Sequence, residues 1–150
     1  MFDPLDRSGY TLVELVVLLV LTALLSSLAV PSFSRTISSF RTRAALARLA
    51  GDLYLARAMA LESGQTITLR FEPPSGCARR YEIVDAEGTV RKQVSSDLAD
   101  SGVCLESNVE RPIRVDGRGL LVGSPRTIRA RRGSLTDSMT ISMVGRIYRW

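Results

Sequence analysis

Few residues of this chain have the chemistry to form a site, and one carboxylate stands where a carboxylate is expensive. Glu14 is the only formal charge in Tyr10 to Val30, YTLVELVVLLVLTALLSSLAV. An ionised acid near the middle of a membrane costs several kcal/mol unless it is paired. It can snorkel to the interface, take up a proton, or meet a positive group from a neighbouring subunit. Cys77 and Cys104 are the only cysteines, and there is no histidine. Without histidine or a C-x-x-C spacing the usual closed zinc site cannot be built, so no metal is expected and the pair is either a bridge or two free thiols. The lack of histidine also removes the commonest general base, and catalysis is not expected. Asp97 and Asp100 are close in sequence, but nothing marks them as an acid and a base. Gly117, Gly119 and Gly123 lack the G-K-[ST] ending of a phosphate loop and read as turns.

The second chemical signal is arginine. Of the 20 Lys and Arg residues only Lys92 is a lysine, and the formal net charge is +5. From Arg111 onward the bases are opposed by Asp116 and Asp137 alone. A guanidinium-rich surface suits phosphate or carboxylate, although a compositional bias of the source gives the same count. Arg129 and Arg131, two apart, share one face of an extended strand. With Arg126, Arg132, Tyr148 and Trp150 they form a candidate cationic surface carrying aromatics for phosphate contact and base stacking. The competing reading is a basic sheet edge that its charges protect from aggregation.

These residues need elements to hold them. The length of 150 residues allows one small soluble domain and a long terminal helix. At 1.5 Å per residue, about twenty apolar residues span roughly the 30 Å hydrocarbon core, so Tyr10 to Val30 can cross a bilayer. No small-residue cleavage pattern closes the run, and its removal as a secretory signal is not expected. Pro31 falls where the run ends, and a bend in a continuing helix is expected there. Beyond it Phe33, Ile37, Phe40, Ala44, Leu46, Leu49, Leu53, Ala56 and Ala60 fall at helical spacing and predict one core-facing stripe, closed near Ser63 and Gly64. After Gly64 the period changes to two, with Ile67, Leu69 and Phe71 on one side. Further strands are predicted at Tyr81 to Val84, Thr89 to Val94, Pro112 to Val115, Arg126 to Arg131 and Ser138 to Val144, with Gly-bearing turns between them. Strands gathered after a helix predict an α+β domain, an antiparallel sheet packed on the helix.

Ser8-Gly9-Tyr10-Thr11-Leu12-Val13-Glu14-Leu15 resembles the class III prepilin signal of type IV pilins and type II secretion pseudopilins. Gly117-Arg118-Gly119, and a closing strand ending Val144-Gly145-Arg146, resemble the FimT and GspH group of that superfamily. The resemblance implies a type IV pilin-like fold, with residues 1–9 a leader, 10–30 the membrane and assembly half of the helix, 31–63 its amphipathic half and 64–150 the β-rich domain. It implies cleavage by prepilin peptidase between Gly9 and Tyr10, N-methylation of Tyr10, and pairing of Glu14 with the α-amino group of a neighbouring subunit. The leader is weakly acidic where the family's is usually basic, and Tyr10 stands where the family usually has Phe. The family also has a proline at the place of Pro31, which favours a kinked continuous helix over a stop.

The implied partners are other pilins in a helical filament, the peptidase and the inner membrane, crossed once with the globular domain outside the cytoplasm. In that compartment disulfides persist, and a Cys77–Cys104 bridge is favoured. No cofactor is implied. FimT-like minor pilins bind DNA through a basic tail with a G-R-x-R element. Gly145-Arg146-Ile147-Tyr148-Arg149 has one extra residue, which places Arg146 and Arg149 on opposite faces of a strand. The functions implied are assembly subunit of a type IV pilus or secretion pseudopilus and, as the alternative, DNA capture at a pilus tip.

Overall fold

The structure is a computed structural model that describes residues 10–149, without the side chains of residues 28–35, 96, 97, 99 and 149. The leader with Gly9, and Trp150, lie outside the described residues. Contacts divide the chain near residue 37 into two units.

One helix, α1, runs from Leu12 to Ser63, with position 31 inside it, so no helix stop occurs there. In the first unit the side chains from Thr11 to Ser27 are all exposed, among them Leu12, Val13, Leu15 and Leu25. An apolar surface all round a helix calls for apolar surroundings. Among the described residues, no helix is long and apolar enough to cross a membrane.

The second unit holds the core. Its buried helical residues include Ala45, Leu46, Leu49, Leu53, Ala56 and Ala60. The predicted stripe needs one correction, because Phe40 is 66% exposed and Ala44 is also exposed. Thr42 is buried instead, with its hydroxyl donating to the Ser39 carbonyl at 2.9 Å. That internal bond removes the cost of burying the hydroxyl, and the face turns away from Phe40. At the other end Gly64, with φ 67°, donates its amide to the Ala60 carbonyl and closes the helix where the sequence placed the stop.

Among the described residues eight strands follow, in two antiparallel sheets rather than the single one expected. They are β1 (Ile67–Glu72), β2 (Arg80–Val84), β3 (Val90–Val94), β4 (Cys104–Ser107), β5 (Ile113–Val115), β6 (Arg126–Arg132), β7 (Leu135–Ile141) and β8 (Ile147–Arg149), with a short helix α2 (Ser96–Ser101) after β3. The first sheet has the order β3-β2-β1-β5 and the second β4-β6-β7-β8. Ile67, Leu69 and Phe71 point inward as their alternation requires, and so do Ile128 and Ala130 of β6. The closing strand is displaced. Residues 142–146 form a turn, with the Ser142 amide on the Arg146 carbonyl and Gly145 at φ 77°, and β8 starts only after it.

Isolated bridges at two places help join the sheets. Ala78 exchanges both backbone hydrogen bonds with Leu105, beside a disulfide between Cys77 and Cys104 whose Cα atoms are 5.1 Å apart. At the second, Val115 bridges to Leu121, whose amide donates to the Met143 carbonyl. Closing a loop with a sequence separation of 27 stabilises by about 3.5 kcal/mol in the chain-entropy model. Reduction is therefore expected to lower the denaturation midpoint by that free energy, read with and without reductant. A loss under about 1 kcal/mol would mean that Ala78 and Leu105 hold the junction unaided.

Candidate functional site

Two places carry the residues singled out by sequence, one in each unit. The first is the start of α1. The Thr11 amide and hydroxyl donate to Glu14 Oε2 at 2.9 and 3.1 Å, and the Glu14 amide donates to the Thr11 hydroxyl at 3.2 Å. This is a reciprocal capping box, in which the helix satisfies its own first amides with a T-x-x-E pattern. Thr11 is the residue that sequence reasoning missed, although the pattern was there to be read. Glu14 is thus engaged within its own chain through one oxygen, and Tyr10, just before the box, is 82% exposed.

The second place is the sheet β4-β6-β7-β8. Its register sets Glu106 opposite Arg129, Ser138 opposite Arg129, and Thr140 opposite both Thr127 and Tyr148. Arg129, Arg131 and Tyr148 are all exposed on the outer face. Arg131 is taken up by Glu106, Nη2 to Oε1 at 2.6 Å. The other two β6 arginines are not on this surface, which corrects the expectation of a joint cationic face. Arg126 and Arg132 have the opposite parity, so Arg132 turns inward and donates to the Ser38 hydroxyl at 2.6 Å. Arg126 is 4% exposed, with Nη1 donating to the Arg111 carbonyl. Arg146 is exposed at the β7–β8 turn, and the side chain of Arg149 lies outside the described residues.

The glycines near these turns have partners of their own. A Cβ on Gly119 would stand 3.0 Å from Arg57 Nε, and one on Gly145 2.9 Å from Arg57 Nη1. Both have positive φ, 75° and 77°. The two turns close on the Arg57 guanidinium, which donates to the Val144 carbonyl at 3.3 Å. In the first turn Asp116 Oδ1 accepts the amides of Leu120 and Arg118 at 2.8 and 3.0 Å. The Leu120 bond above all, with those from Arg118, holds the Asp116 carboxyl below its usual range against the opposing pull of burial.

Residues 45–145 match the sequence profile of the family described as Type II transport protein GspH, which is well over half of the chain. The chain belongs to the GspH family. Its fold agrees with that assignment. The type IV minor pilin FimU of Pseudomonas aeruginosa PAO1, in its P21 crystal form, superposes with a TM-score of 0.61 at 18% identity, over 73% of this chain and 87% of that one. The minor pseudopilin EpsH of the type 2 secretion system of Vibrio cholerae superposes with a TM-score of 0.55 at 17% identity, over 73% and 96%. No curated protein sequence matches the chain. At these identities the likeness is one of fold, the pilin-like α+β arrangement of a long helix and antiparallel sheets.

Proposed function

We propose that this GspH-family chain is a minor pilin or pseudopilin, an assembly subunit of a type IV pilus or of a type II secretion pseudopilus. One observation carries the reading. A helix whose described side chains from Thr11 to Ser27 are exposed, and mostly apolar, leads into the pilin-like domain and begins on the Thr11–Glu14 box two residues after Gly9. Residues 1–9 serve as leader and 10–30 as the half of the helix held in the inner membrane and then in the filament. Residues 31–63 carry the helix into the domain, and 64–150 form the β-rich part presented outside the cytoplasm. Prepilin peptidase cuts between Gly9 and Tyr10, and the Tyr10 amine is methylated. The capping box engages Glu14 Oε2, which leaves Oε1 to meet the amine of the next subunit. Pro31 sits where the apolar run gives way to the amphipathic half.

Co-expression with a prepilin peptidase tests this reading. Intact mass is expected to place the mature start at Tyr10. Glu14→Ala is expected to be cut normally yet to fall at least tenfold in the sheared filament fraction, because its amine partner is lost. A mature start elsewhere, or normal incorporation of the variant, would refute the assignment.

No observation favours nucleic-acid capture over assembly. Of the candidate arginines, Arg126 is buried, Arg131 is paired with Glu106 and Arg132 is turned to Ser38, so Arg129 and Arg146 alone are exposed without an ion pair among the described side chains.

A further inference from the structure

Arg126 is the only buried base among the described residues, and it makes no ion pair. Its Nη1 reaches the Arg111 carbonyl, but its Nε is buried with no hydrogen-bond partner. A guanidinium cannot escape burial by losing its proton, because it is far too strong a base to be neutral near physiological pH. Burial lowers the Arg126 pKa, and the neighbouring Arg111 charge lowers it further. Both act against a cation to which its own chain offers a carbonyl but no counter-charge. Buried charges in folded proteins are paired or coordinated, and an unpaired one is a standing cost.

The surroundings of Arg126 supply no acid. It lines a cleft of about 380 Å³ with Arg111, Pro112, Arg114, Val122 and Ser124, and no carboxylate contributes to the wall. Arg111 and Arg114 are exposed at the cleft. Glu110, Glu72 and Glu82 line a neighbouring cleft that shares Arg111 and Pro112 with this one, and none of them lines the cleft at Arg126. One wall is built on the backbone. The Val122 amide donates to the Arg114 carbonyl at 2.8 Å, which ties the segment before β6 to β5. The site is therefore part of the domain's framework, with three guanidinium groups, a hydroxyl and an unused buried N–H.

We propose that this cleft binds an oxyanion, a phosphate or carboxylate group, with Arg126 as the inner donor and Arg111 and Arg114 as the outer cations. The planar fork of an arginine matches both kinds of group in two-point contact, and charge-assisted bonds of this type are the strong ones. An anion there meets the edge of the Arg126 guanidinium that lines the cleft and supplies the counter-charge that the buried cation lacks. The site is distinct from the outer face of β6, because Arg126 has the opposite strand parity to Arg129 and Arg131.

The full-length chain in detergent, melted at constant ionic strength while chloride is exchanged for inorganic phosphate or for acetate, tests the proposal. A ligand that binds only the folded state raises the melting temperature saturably. The wild type is expected to rise by several degrees with at least one of the two anions. Phosphate alone, acetate alone or both would each support the site, and the pattern identifies the group it takes. Arg126→Gln is expected to lose the response. Should that variant fail to fold, Arg111→Ser/Arg114→Ser changes only exposed side chains and is expected to weaken the apparent affinity at least tenfold. A wild type that melts alike in chloride, phosphate and acetate overturns the proposal, and so does a response that survives unchanged in the outer double variant.

Discussion

Replacing Lys92 by methionine is expected to cost roughly 3 to 5 kcal/mol of unfolding free energy, because it strips a buried carboxylate of the cation bonded to its Oδ1. Asp52 faces inward from α1, with its side chain 6% exposed, while the Lys92 side chain is 36% exposed. Lys92 Nζ donates to Asp52 Oδ1 at 2.7 Å, and the Tyr81 hydroxyl donates to Oδ2 at 2.7 Å. The group ties α1 to β2 and β3. Burial, and then the bond to Asp52, push the Tyr81 phenol well above its ordinary pKa, so it remains a donor throughout the physiological range. Asp52→Ala is expected to cost less, about 3 kcal/mol, since Lys92 can turn to water and only the Tyr81 hydroxyl is stranded. The double variant is then expected to be more stable than Lys92→Met alone, a coupling of about 1 to 3 kcal/mol in a denaturation cycle. Additive losses would show that the three groups do not act together.

Gly117→Ala is expected to be as damaging, at about 4 kcal/mol or more, for a steric reason. A Cβ at Gly117 would lie 2.2 Å from the Gly64 carbonyl oxygen and 2.4 Å from its carbon. Overpacking ordinarily costs about 1 to 3 kcal/mol because side chains can shift, but here the obstruction is backbone at the closure of α1. Gly123→Ala makes the comparison. Its φ is 106°, but nothing lies within 4 Å of the added carbon, so only backbone strain of roughly 1 to 3 kcal/mol is expected. Urea midpoints of the two variants decide the matter, and a Gly117→Ala protein at least as stable as Gly123→Ala would remove the close-contact account. Gly117 has no positive φ. It was legible in sequence as a turn residue, but its actual constraint comes from a glycine more than fifty positions earlier.

The same contrast runs through the rest of the chain. Local chemistry was readable. The alternation of Ile67, Leu69 and Phe71 is a property of one strand, and the helix stop at Ser63 and Gly64 belongs to one turn. The strands that were missed are short and are defined by their neighbours. Cys104–Ser107 exists as β4 through its pairing with β6, and Ile147–Arg149 as β8 through the Ser142–Arg146 turn that redirects the chain. Burial of charge was less legible still. Asp52 lies on the helix beside exposed arginines in sequence, and it is the approach of Tyr81 and Lys92 from two strands that gives each of its oxygens a hydrogen-bond partner.

By itself the sequence determined the α+β class, the apolar start of the helix with its one acid, and the strand parity that puts Arg129 and Arg131 together, because each depends on residues within a few positions of one another. Tertiary structure alone decided that the strands form two sheets, that Cys77 meets Cys104, and that Arg126 is buried against the Arg111 carbonyl without a counter-ion. Those outcomes depend on which distant segments come within bonding distance, and periodicity along the chain carries no record of that.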